Sequence, residues 1–358
     1  MSLAYLVWGC LTALISCLVT RNLCSTASFF YLPDHPNKRS LHVAPTPRTG
    51  GLAIFFSVVV VLSIIFILKL FYFSMQFDLD KIQTGSFFWL GVGIFFVAGV
   101  SFWDDRRGLL SGVRLFFHLW TASILVLGAG LLLEKISVPF VGNVSLNPII
   151  AIPLTVLFLT WMANLYNFMD GMDGFAGGMT LFGFSFFGII FWVHGNTSIA
   201  IISFLISGSM GGFLAHNFPP AKIFMGDIGS IPLGFLAGAF SILGVRNRAF
   251  DIWVPLLIFS PFIVDATATL FLRIKSGQKI WEAHREHYYQ RLVLMGWGHK
   301  KTVLSEYVLM LACGLSAVLY LQLSDVLRFF LLLSWFVIYV FLGRTINVLE
   351  KRHLKHAK

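Results

Sequence analysis

Eleven apolar runs, most of them long enough to cross a bilayer, leave few folds open to this chain: roughly 3–20, 51–72, 87–103, 113–133, 148–168, 176–193, 198–215, 231–245, 251–272, 303–321 and 325–343. A hydrocarbon core takes about 20 helical residues to span. Inside it every backbone N–H and C=O must be satisfied within the element, so such runs read as helices. With 57% hydrophobic and 12% charged residues and a mean hydropathy of +0.82, an ordinary water-soluble domain is excluded. The expected fold is all-α: one polytopic membrane domain over residues 1–358 with 10–11 transmembrane helices. The run at 231–245 is short and Gly-rich and fits the series least well. The first run lacks a preceding basic region and a following small-residue cleavage site, so it reads as a retained helix, not a signal peptide.

The basic residues set an orientation. If the loop after the first run is cytoplasmic and sides alternate, cytoplasmic segments carry twenty Lys or Arg and the other side only Lys81, Lys135, Arg246 and Arg248. The positive-inside rule then predicts an outside N-terminus and an inside C-terminus. Arg246 and Arg248 are the exceptions, and they follow the weakest run. The net charge of +10 is explained by this bias, without nucleic acid as a partner. Cys10, Cys17, Cys24 and Cys313 form no metal or redox motif and read as small packing residues.

Acidic and amide groups at the ends of apolar runs are costly and usually functional. The same alternation puts all of them on one face. The third run ends in FWDDRRGL, whose Asp104 and Asp105 repel each other unless a cation or shared proton intervenes. The bland alternative is neutralisation by Arg106 and Arg107. The fifth run enters NLYNFMDGMDGFAGG, with Asn164, Asn167, Asp170 and Asp173 three residues apart. On an unbroken helix Asn164 and Asp173 would face opposite ways. They converge only if the helix stops, and Gly171 and Gly174 offer that stop. The alternative is a helix cap and a polar turn. In HNFPPAKIFMGDIGS, Pro219 and Pro220 break the helix, and Asp227 sits in a glycine-flanked loop where it could ligate a hard cation or cap the next helix.

The longest cytoplasmic loop, from Arg273 to Lys301, centres on WEAHREHYYQRL. His284, Arg285, His287 and Arg291 could close on a phosphate. Zinc is the rival ligand, though HxxH lacks a third ligand, and a basic face toward lipid headgroups is the plain alternative. In the first loop, PNKRSLHVAPTPRTGG, Lys38, Arg39 and Arg48 could meet a lipid phosphate, a weak signal where the positive-inside rule would place them anyway.

Taken in order, DDRRGL, NLYNFMDGMDGFAGG, FMGDIGS and AHREHYYQRL resemble the polyprenyl-phosphate N-acetylhexosamine-1-phosphate transferases, the glycosyltransferase family 4 superfamily, over about residues 33–295. The resemblance implies a bacterial inner-membrane enzyme with a cytoplasmic site. It would transfer HexNAc-1-phosphate, or a deoxy-HexNAc-1-phosphate, from a UDP-amino sugar to undecaprenyl phosphate and release UMP. It also implies Mg²⁺, with Mn²⁺ as an alternative, the bilayer as a partner, and a homodimer as an open option. By motif, Asp104 and Asp105 would hold or deprotonate the lipid phosphate, and Asn167 and Asp227 would bind the metal. Asp173, with Asp170 close by, would hold the uracil. Asn164 and Lys38 join the substrate-binding set. Arg114 would contact the donor diphosphate, and His284, Arg285 and His287 would close on the donor. The last loop has HREH where the peptidoglycan enzyme has a run of histidines, which turns the expectation toward O-antigen or other surface-polysaccharide initiation. A transporter or flippase is the alternative, disfavoured because the acids sit at one face and no repeat is visible. An inactive family member is disfavoured by the intact acids.

Overall fold

The computed structural model describes residues 3–36, 41–42, 44–71, 84–279 and 284–356. Lys38, Arg39, Lys81 and the start of WEAHREH fall outside them.

The described residues are mainly helical. The helices are α1 (Leu3–Leu23), α2 (Gly50–Phe71), α3 (Thr84–Arg107), α4 (Ser111–Gly128), α5 (Pro148–Met169), α6 (Phe175–Val193), α7 (Thr197–Asn217), α8 (Asp227–Arg246), α9 (Trp253–Ile258), α10 (Ser260–Lys275), α11 (Tyr288–Leu292), α12 (Gly298–Tyr320) and α13 (Asp325–His356). Two antiparallel ribbons complete it: Pro33–Asp34 against Thr46–Pro47 in the first loop, and Lys135–Val138 against Gly142–Ser145 between α4 and α5. Ten segments among the described residues are long and apolar enough to cross a membrane.

One doubtful run is borne out and one expectation needs correction. The run least trusted in the sequence, α8, is the axis of the bundle: every residue from Ile228 to Gly244 is buried. Its glycines are what let neighbours close on it; a Cβ on Gly234 would lie 2.4 Å from the Met162 carbonyl oxygen of α5. The exceptional Arg246 at its far end donates to the Gly130 carbonyl at 2.9 Å, tying α8 to the end of α4. Conversely, the run 251–272 is not one helix. It breaks at Phe259 (φ −94°, ψ 9°), between Pro255 and Pro261. Proline cannot donate the helix N–H, so Pro261 fits at the start of a new helix. Ser260 Oγ satisfies the broken end by donating to the Leu257 carbonyl at 2.7 Å. Broken helices are tolerated at membrane depth when side chains re-satisfy the freed backbone in this way.

The remaining packing follows small-residue rules. α1 runs parallel to α7 on Gly208 and Gly212, one helical turn apart; a Cβ there would meet the carbonyl oxygens of Gly9 at 2.3 Å and Ala13 at 2.0 Å. The expected alternation holds. The C-terminal ends of α3, α5 and α7 meet the N-terminal ends of α4 and α8 at one end of the bundle, as the contacts below establish. The other end is closed by Arg246, by Asn247 donating to Asn196 at 3.0 Å, and by Trp253 donating to the Ser137 carbonyl at 2.7 Å. At 32 residues and about 1.5 Å per residue, α13 outruns a bilayer. Its tail returns to the first end, where Arg291 pairs with Glu350 at 2.6 Å.

Candidate active site

Consecutive residues on a helix point about 100° apart, and this separates Asp104 from Asp105. Both are buried, at 7% and 3% exposure. Asp104 accepts from the Leu109 amide at 2.6 Å, and its other oxygen lies 3.4 Å from Arg114 Nη1. Asp105 accepts from the Ile228 amide at 3.1 Å, in the first turn of α8, where helix amides lack internal partners. Arg48 lies beside it, Nε 3.7 Å from Oδ1, and donates to the Asp105 carbonyl. Arg106 and Arg107 do not neutralise the pair: both are exposed, and Arg106 stacks on Phe102 at 4.3 Å. The first-loop signal that looked weak in the sequence therefore resolves onto Arg48, while Lys38 lies outside the described residues.

α5 ends at Met169, with Asp170 as its C-cap. The chain then turns through Gly171 and through Gly174, whose φ of +72° favours glycine. Gly171 is needed for close approach instead: a Cβ there would meet Tyr289 Oη at 2.3 Å. Asn167 Nδ2 donates to Asp227 Oδ1 at 2.7 Å, while Asp227 Oδ2 lies 3.5 Å from Arg114 Nη1. Asp227 does not cap α8; Gly226 occupies the cap position at φ 72°. Asp173 accepts from the Ala221 amide at 3.0 Å and pairs with His299 Nδ1 at 3.1 Å. The turn is pinned by Asn217, which accepts from Gly174 N at 3.0 Å and donates to the Ile223 carbonyl at 2.8 Å. Asp170 titrates above the usual carboxylate range because burial disfavours its charge and Asp227 and Asp105 add repulsion.

Asp104, Asp105, Arg114, Asn167, Asp170 and Asp227 thus meet in one acidic mouth, with Asp173 at its side. Asn164 borders the mouth. It lies one turn deeper, donates to the Thr160 carbonyl at 2.7 Å and faces the buried His118. The returning loop reaches the mouth through Tyr289, whose hydroxyl donates to the Phe168 carbonyl at 3.2 Å. The His284 and His287 rings lie tilted to each other with centres 4.9 Å apart, and Arg285, between them in sequence, is half-buried. Burial, followed by the neighbouring His287 and Arg273, pushes His284 down to about 4. His287 is buried and anchored to Asp265 at 3.1 Å.

Asp265, Asn217, His299 and Tyr289 carry this geometry without having been singled out in the sequence. Asp265 and Asn217 lie in or at the end of apolar runs, and nothing nearby marks their partners, which lie 22 to 24 positions from Asp265 in the returning loop and 43 and 6 positions from Asn217.

The oxygen donors suit a hard divalent cation. Asp104 Oδ2 is buried without a hydrogen-bond donor, and Asn167, bonded through its amide nitrogen, keeps its carbonyl oxygen for another ligand. Among the described residues no three His, Cys, Asp or Glu side chains enclose a metal by themselves.

The glycosyl transferase family 4 profile matches residues 87–245, the stretch that carries the acidic mouth. A probable undecaprenyl-phosphate N-acetylglucosaminyl 1-phosphate transferase of Bacillus subtilis is 32% identical over 86% of this chain and 82% of its own. A decaprenyl-phosphate N-acetylglucosaminephosphotransferase of Mycobacterium tuberculosis is 29% identical over 84% of this chain and 78% of its own. A phospho-N-acetylmuramoyl-pentapeptide-transferase of Levilactobacillus brevis is 30% identical over 62% and 64%. The chain belongs to glycosyl transferase family 4, and it is a polytopic membrane member of it.

Proposed function

We propose that the protein transfers HexNAc-1-phosphate from a UDP-amino sugar, UDP-GlcNAc or a deoxygenated relative, to undecaprenyl phosphate at the cytoplasmic face of a bacterial inner membrane. The product, an undecaprenyl-diphosphate sugar, begins a surface polysaccharide of the O-antigen type. The observation that carries this reading is the meeting of Asp104, Asp105, Asn167, Asp227 and Arg114 at one end of the bundle. That end also receives Arg48, Arg291 and the basic tail, and the positive-inside rule assigns it to the cytoplasm.

In the reaction a phosphate oxygen of the lipid attacks the sugar-bearing phosphorus of the donor. The bond between that phosphorus and the bridging oxygen breaks, and UMP leaves with the electron pair. Positioning and charge neutralisation supply most of the catalysis in such transfers. Asp104 and Asp105, at the membrane border, orient the acceptor phosphate and take its proton if it arrives protonated. Arg114, between Asp104 and Asp227, is placed to draw the donor diphosphate inward. Asp173 is held by Ala221 N and His299 for the uracil, and the loop through His284, Arg285 and His287 closes over the sugar and diphosphate. Mg²⁺, held by Asp227 and Asn167, would screen the phosphate charges and polarise the phosphorus under attack.

Purified protein with undecaprenyl phosphate, Mg²⁺ and a panel of UDP-amino sugars should release UMP with one of them, and chelation or omission of lipid should stop it. Silence across the panel from folded protein, with lipid-linked substrate crossing vesicles instead, would replace this reading with the flippase.

A further inference from the structure

Asp265 sits midway along α10, is 8% exposed, and none of the reaction steps above uses it. Its two oxygens receive four donors: Thr269 Oγ1 at 3.1 Å, His287 Nδ1 at 3.1 Å, and the amides of Tyr288 at 3.0 Å and Tyr289 at 3.1 Å. Only an acceptor-only carboxylate satisfies four donors at once. The ring nitrogen facing it therefore carries its proton and donates, and Nε2 is the nitrogen turned away from the carboxylate. The His287 side chain also lies at the Gln290 amide, in a capping box with the Gln290 side chain. The same carboxylate binds the first two amides of α11, so it fixes the ring and the backbone on which the ring is mounted. A second clasp lies further along α10: Arg273 donates to Glu286 at 2.7 Å and to the Lys279 carbonyl at 2.9 Å. From Asp265 the contacts run through Tyr289 to the Phe168 carbonyl, next to Asn167.

We propose that Asp265 is a positioning residue for the transfer: it holds His287 Nδ1–H turned to α10, so that Nε2–H of the imidazolium donates to the donor's diphosphate. This rests on the reading above that the returning loop meets the donor. An anchor that merely held α11 in place would serve any side chain at position 287. An anchor that orients His287 loses its value when His287 is gone.

That distinction is the test. Asp265→Asn keeps the volume and one acceptor oxygen but adds a donor that opposes the His287 N–H. It should lower kcat/KM for the UDP-sugar by about 10–100-fold, the usual effect of removing a partner that orients a ligand-binding histidine, and leave KM for the lipid phosphate unchanged. In a His287→Ala background the same substitution should cost less than about threefold more, because residues acting as a unit are non-additive. Equal losses in both backgrounds would overturn the proposal. ¹⁵N-histidine NMR of the native protein in nanodiscs reads the same point without activity. His287 should show a protonated Nδ1 that exchanges slowly, against the exposed His353 as reference. A His287 that exchanges like His353 would overturn the proposal even if Asp265→Asn fails to fold. A locked His287 in a protein that releases no UMP would instead sink the transferase reading.

Discussion

Asp265 and the carboxylates of the acidic mouth are built on opposite plans. Asp265 has four donors for its two oxygens and needs no further partner. In the mouth, Asp104, Asp105, Asp170 and Asp227 share Arg48, Arg114, one amide side chain and a few backbone amides, and Asp104 Oδ2 is buried without a hydrogen bond. A buried carboxylate that is fully hydrogen-bonded stabilises the fold it sits in. A crowd of under-satisfied ones destabilises it and waits for a cation or a proton. Completeness of the hydrogen bonding thus separates a carboxylate that organises a loop from those that await a ligand.

The sharpest way to break this contrast is Asp227→Ala. Turnover should fall by about 10³-fold or more, as expected when a metal-binding carboxylate of a phosphoryl-transfer site is lost. The thermal midpoint should hold or rise, since repulsion is relieved. Asp265→Ala should instead strand several buried donors and cost roughly 2–3 kcal/mol of stability. Matching stability losses in a melting comparison of the two variants would erase the distinction. Asp105→Ala should lower turnover by about 10²–10³-fold, again without unfolding, because the repulsion it relieves beside Asp227 offsets the one buried amide, Ile228, that it leaves without an acceptor. Arg114→Gln should act mainly on the donor, raising its KM by about tenfold and leaving the lipid KM alone; a purely acceptor-side effect would move Arg114 to the other substrate.

The smallest effect concerns pH. His284 is pushed down to about 4 from the ordinary 6.5, so between those values an opened loop binds a proton that the closed loop refuses. Closure should be flat above about pH 6.5 and weaken as pH falls from there toward about 4. Limited proteolysis of the returning loop across that window should show the loss, and His284→Gln should remove it.

Much of the mouth was legible in the sequence because its residues sit at the ends of apolar runs joined by short loops. Asp104, Asp105, Asn167, Asp170, Asp173 and Asp227 were found that way, and the turn through Gly171 and Gly174 was read from Asp-Gly pairs. Asn164 lies one turn back from Asn167 on α5, and its neighbour His118 could not be read from spacing because it comes from another helix. The last loop was recognised as basic, but its anchor was not, since Asp265 lies inside an apolar run 22 positions before His287.

By itself, the sequence determined the solvent this protein folds in, the helical, many-times-crossing class of its fold, and the end of the bundle where its acids collect. Hydrophobic length and alternation of sides are local properties, and a bilayer enforces them. Tertiary structure alone decided that glycine-rich α8 is the axis, that the passage from Trp253 to Lys275 breaks at Phe259, and that Arg48, His299 and Asp265 each attach to a partner far along the chain. Those outcomes depend on which helices pack together and on where a buried polar group finds its donor, and neither is written within one run of residues.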